Sequence, residues 1–147
     1  MDQEDDRSLS AVFLERAEEF LSGAASAGGR TGADMTEPVL HLTCCALELS
    51  LKAVVLHHDG SDERNRVEIR HSLTKALAAA DRAGFRAVPG LAAAARHLSH
   101  SYETHGLHAL ATAFSPDDVS SLISMSRAHI ESVRAHMASP AASRPIP

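Results

Sequence analysis

Apolar residues recur along most of this chain at intervals of three and four, the spacing of one helix face, and no segment reads as a strand. Ser8 or Ser10 can cap a first helix over 10–24, with Val12, Phe13, Ala17, Phe20, Leu21 and Ala24 on its inner face. The stretch 23–34, rich in Gly and small residues, interrupts that pattern and predicts a flexible connector. A second helix starts near Thr36, with Glu37 and Pro38 in its first turn, and runs to about His58. Its Leu and Val residues cover most of the circumference, which predicts a central helix packed on several sides.

The segment 57–70 reads as a charged connection that turns at Asp59-Gly60. Ser72 or His71 can cap a third helix to about Ala83, with Leu73, Ala76, Leu77 and Ala80 inward and Gly84 as its stop. Pro89-Gly90 precedes a fourth helix over 91–103, where Leu91, Ala94, Leu98 and Tyr102 recur at helical spacing; 104–114 reads as a loop or a short helix. Ser115, Pro116, Asp117 and Asp118 mark the start of a last helix that reaches Ala138. The expected fold is all-α, an up-down bundle of four to five helices. It forms one domain over 10–138, between an acidic disordered N-terminus (1–9) and a disordered Pro-rich tail (139–147).

Composition agrees with helices: aromatic residues make up 3% of the 147 positions, with no Trp, and Ala and Leu dominate. So few rings leave no stacking platform for single-stranded nucleic acid. The net charge of −5 excludes a globally basic nucleic-acid-binding surface. That charge is uneven, with nine acids and three bases in 1–40 against ten acids and eleven bases in 41–147. Cys44 and Cys45 are adjacent and cannot staple distant segments, and the acidic start lacks the pattern of a signal peptide. The apolar run 39–56 contains His41, Glu48 and Lys52 and reads as a buried helix of a soluble, cytoplasmic protein.

The candidate chemistry is sparse. Glu48 and Lys52 are spaced i,i+4 in the favourable order, so they form either a structural ion pair or the polar floor of a cleft that His71 also approaches. Arg64, Arg66 and Arg70, with Arg82 and Arg86, make the best local basic patch, although Asp62, Glu63, Glu68 and Asp81 are interleaved with them. His97, His100, His105 and His108 form the densest histidine cluster, without the carboxylate pattern of a di-iron bundle, and no metal or cofactor is expected. Motifs for a P-loop, a serine hydrolase or a Cys-x-x-Cys site are absent.

The run Ala46-Leu47-Glu48-Leu49-Ser50-Leu51-Lys52-Ala53, followed by Arg70-His71-Ser72-Leu73-Thr74-Lys75-Ala76-Leu77 and by AADRAGF at 79–85, resembles the HEPN superfamily. The likeness extends over about 39–138, with its specific part at 41–85. It implies a small helical bundle that forms homodimers, often beside a nucleotidyltransferase-type partner protein in toxin–antitoxin or defence systems. Some members cleave RNA without metal, using an Arg separated from a His by four to six residues. Others are non-catalytic modules that bind a partner protein, a nucleotide or RNA. In this chain no Arg on the fourth or last helix has a His at that spacing; the only matches are Arg64 and Arg66, each with His71. The candidate catalytic residues are therefore His71, Arg64 and Arg66, and the candidate binding residues Glu48, Lys52 and Arg70. The missing late-helix motif favours the non-catalytic module.

Placing an unpaired carboxylate on every side of a buried helix leaves it no route to water. Leu47→Asp or Leu51→Asp is therefore expected to unfold the protein, read as loss of the helical circular-dichroism signal at room temperature. A cooperative melt retained by Leu51→Asp would show that 39–56 is not the central helix.

Overall fold

The computed structural model describes residues 7–29 and 34–139, which are helical throughout with no strand. The elements are α1 (Arg7–Gly28), α2 (Thr36–Asp59), a π-helical turn (Asn65–Ile69), α3 (Leu73–Arg82), α4 (Leu91–Glu103), the single turn α5 (Leu107–Ala111) and α6 (Pro116–Ala138). The expected structureless ends lie largely outside the described residues, apart from Arg7–Leu9, which belong to α1, and Ser139, which caps α6.

Local chemistry accounts for most helix ends. Gly60 adopts φ 74° and returns its N–H to Leu56 O at 2.8 Å, which closes α2. Ser72 caps α3 by accepting from Lys75 N at 3.1 Å. Ser115 and Asp118 form a reciprocal capping box on α6, with the Asp118 carboxylate accepting from Ser115 N at 2.9 Å. The histidine expected as an alternative cap, His71, has another role.

Three expectations about α1 are corrected. The helix does not stop at the glycine-rich stretch but continues to Gly28, since Ala24 is fully buried and Gly23 lies 3.6 Å, from its would-be Cβ, from Leu42 of α2. Its buried stripe is Ser10, Leu14, Ala17, Leu21 and Ala24, a regular three-four alternation. Val12 stands outside it at 40% exposure, and Phe13 and Phe20 flank it half-buried. Neither Ser8 nor Ser10 caps the helix; Ser10 lies within it and donates to Arg7 O.

The long helices pack by alternating direction. Arg7 Nε donates to His57 O at 3.0 Å while Gly28 sits beside Val39, so α1 and α2 are antiparallel. Gly28 also sits beside Ile123, and Arg134 pairs with Glu18, so α6 is antiparallel to α1 and parallel to α2. The α3–α4 hairpin covers the rest of α2. By length and composition α2 could cross a membrane, yet 78% of its apolar window is buried inside the protein.

One polar side chain sits in the middle of this packing. His129 of α6 is fully buried, with Nε2 2.8 Å from the Ser50 hydroxyl and no partner for Nδ1 among the described residues. Phe85 meets its ring edge-on at 5.6 Å. Burial disfavours the imidazolium and lowers the His129 pKa from 6.5 to about 4. His57 and His136 are shifted down as well, mainly by burial and then by neighbouring positive groups.

These shifts set an acid limit to stability. Above pH 6.5 His129 is neutral in both states; between 6.5 and about 4 the unfolded chain takes up a proton that the folded protein refuses, so stability falls with pH. The loss is expected to total about 3 kcal/mol from His129 across that window. Urea midpoints measured from pH 7 to pH 4 check it, and His129→Met should flatten the slope. An unchanged slope in that variant would show that His129 titrates normally.

Candidate functional site

Helix α2 carries one polar stripe, His41, Cys45, Glu48 and Lys52, at steps of four, three and four. On a helix so fully covered, that stripe reaches the surface only where neighbouring helices part. It faces the start of α3 and the end of α4, and the structure brings His71 and Tyr102 onto it.

Glu48 is the hub. Its residue is 7% exposed, and its carboxylate accepts three bonds: from Lys52 Nζ at 3.1 Å on Oε2, and from Tyr102 OH at 2.9 Å and His71 Nδ1 at 3.0 Å on Oε1. A carboxylate acceptor requires the proton of His71 on Nδ1, so Nε2 of the neutral ring is a bare acceptor. The His71 side chain is 73% exposed, which puts that nitrogen at the solvent. Tyr102 gives its only proton to Glu48, so the Cys45 thiol, 3.5 Å away, donates to the phenol oxygen. His41 Nε2 lies 3.7 Å from Cys45 Sγ, and the His41 and His71 rings flank Tyr102 at 6.0 and 6.5 Å.

Burial keeps the thiols and the phenol around Glu48 protonated. Burial, followed by the charge of Glu48, raises the Cys45 thiol above its usual range. Burial pushes Cys44 up to about 12. The Tyr102 phenol is raised well above normal by burial, and then by the charge of the Glu48 carboxylate that accepts its proton. Neither thiol is an activated nucleophile, and Tyr102 serves as a donor.

Ser99 of α4, 4% exposed, fixes His71 indirectly. Its hydroxyl accepts from Leu73 N at 3.0 Å and Thr74 N at 3.4 Å, while Ser72 accepts from Lys75 N. The first amides of α3 are thus satisfied within the protein.

The arginines expected to act with His71 are engaged elsewhere. Arg64 spans Asp59 at 2.9 Å and Glu68 at 3.3 Å, and Arg66 approaches Asp62 at 3.9 Å. Neither bonds to His71. Both lie beside or within the π-turn, which the buried Asn65 anchors by donating to Lys52 O at 3.1 Å and Asp62 Oδ1 at 2.9 Å. Arg70 is exposed at φ 53°, and its N–H closes the π-turn on Asn65 O. Of the expected residues, the structure gathers Glu48, Lys52 and His71, and holds Arg64, Arg66 and Arg70 on the adjoining turn.

The late histidines are dispersed: His97 lies 5.7 Å from the Phe114 ring, and His108 bonds to Glu37 at 2.9 Å. Among the described residues no group of three His, Cys, Asp or Glu side chains is placed to hold a metal ion. Sequence reasoning missed His41, Cys45 and Tyr102. The first two were legible as polar interruptions of an apolar helix in register with Glu48 and Lys52; Tyr102 carried no such signal. No family model, curated protein or solved structure matches this chain.

The Glu48 hub makes a direct prediction. Glu48→Ala strands Lys52, 9% exposed, without its counter-charge and should cost about 3 kcal/mol in urea unfolding. Replacing both residues with Met should recover most of that loss, because the pair's attraction only offsets its desolvation. A single variant within about 0.5 kcal/mol of the parent would show the pair to be solvated.

Proposed function

We propose that this chain is an HEPN-like, non-catalytic binding module that forms homodimers in the cytoplasm and engages a partner, a nucleotidyltransferase-type protein or a nucleotide or RNA, in a toxin–antitoxin or defence setting. The observation that carries the non-catalytic reading is the internal use of the groups that phosphate chemistry needs. Cleavage of RNA requires a free cation at the phosphate beside a titratable acid–base group. Arg64 and Arg66 are paired with acids, and the α3 amides are taken by Ser99 and Ser72. The segments that resemble the superfamily supply the Glu48–Lys52–His71 connection, which ties α2 to the start of α3. That is a structural task for the resembling residues.

One observation favours the second reading, a metal-independent ribonuclease using His71 with Arg64 or Arg66. His71 presents a bare Nε2 to solvent in a tautomer held by a buried carboxylate, the arrangement of a general base. The two readings separate in one assay. The purified protein is expected to leave a fluorogenic RNA intact over hours, with or without EDTA. Cleavage that survives EDTA and disappears in a folded His71→Ala variant would establish the nuclease instead.

A further inference from the structure

The outer face of α1 has a symmetry that the monomer does not use. Val12, Arg16, Glu19 and Gly23 follow one another at steps of four, three and four, so they form a single ridge, with Glu15 and Phe20 beside it. This ridge and Leu42 of α2 line an open groove of about 610 Å³. Glu15, Arg16 and Glu19 are exposed, and none of the three has an ion pair or hydrogen bond among the described residues. Of the three exposed large hydrophobic residues described, two, Leu9 at 37% and Val12 at 40%, belong to α1.

The spacing of the ridge is the same in both directions. Around a two-fold axis between residues 17 and 18, an antiparallel copy places Arg16 against Glu19 and Val12 against Gly23, each twice. A slip of three residues either way sets Arg16 against Arg16 or Glu19 against Glu19, and the slip of four that sets Arg16 against Glu15 takes Val12 away from Gly23. Gly23 has no side chain and adjoins Leu42, which leaves an apolar seat for the Val12 of the other molecule. The charge order and the Val12–Gly23 fit together set the register, and burial of the valines supplies the attraction.

We infer that the α1 ridge is a self-complementary docking face for a second copy of this chain, paired antiparallel through Arg16–Glu19 and Val12–Gly23 contacts. This rests on the homodimer of the reading above and assigns it a surface. A single helix pair is a small interface, so the dimer exchanges with monomer at a Kd on the order of 10 μM.

Analytical ultracentrifugation of the full chain from about 1 to 200 μM tests this, bracketing the expected Kd. Arg16→Glu alone, or Glu19→Arg alone, makes both cross-pairs repulsive and should raise the Kd about tenfold or more. The double variant R16E/E19R restores opposite charges in the same register and should return the Kd to within about threefold of the parent. Circular-dichroism melts of the three variants should match the parent, since the residues lie on the outer face. A dimer unaffected by Arg16→Glu would overturn the α1 face while leaving the homodimer standing. Failure of the double variant to recover would overturn this register. A parent that stays monomeric at 200 μM would overturn both the face and the homodimer.

Discussion

The Glu48 carboxylate is carried into the protein by a helix with almost no solvent face, and much of the site follows from how that charge is accommodated. A lone buried carboxylate is costly, so its lone pairs must be met. Lys52 meets it from one turn along the same helix, Tyr102 from α4 and His71 from the entry to α3. Each partner arrives from a different element, which makes the ion pair a joint between three helices. The same bonds hold Tyr102 protonated, define the His71 tautomer and leave the Cys45 thiol as a donor.

The joint is supported from behind by uncharged groups. Ser99 receives the first amides of α3, and Asn65 ties the π-turn to the carbonyl of Lys52, the residue that also neutralises Glu48. A π-turn is an uncommon local geometry, and here a buried side chain that bonds across to α2 sustains it. Arg64 spends its charge on Asp59 and Glu68, and the exposed Arg66 approaches Asp62, so neither is directed at His71.

The helices that sequence periodicity predicted are present, and their capped starts and stops are where local chemistry put them: Ser72, the Ser115–Asp118 box and Gly60 act through neighbours within a few residues. The burial of α2 was equally legible, because a helix apolar on all sides has only one kind of environment. The inner face of α1 was legible only in part. Ala17, Leu21 and Ala24 of the expected face are buried, but Val12 is exposed, Phe13 and Phe20 are only half-buried, and Leu14 completes the stripe in their place. Large side chains attract an assignment by hydrophobicity, but close approach to α2 and α6 selects the small ones.

Sequence alone determined the all-helical class, the central position of α2 and the pairing of Glu48 with Lys52, since each depends on interactions among residues a few positions apart. Tertiary structure decided the rest of the site. Tyr102 reaches Glu48 across 54 residues and His129 reaches Ser50 across 79, and no local pattern encodes contacts between elements that meet only after folding. It also decided that Arg64 and Arg66 face acids and not His71. The direction of a long side chain is set by which charge lies nearest once the backbone turns, and the π-turn at 65–69 was invisible to periodicity.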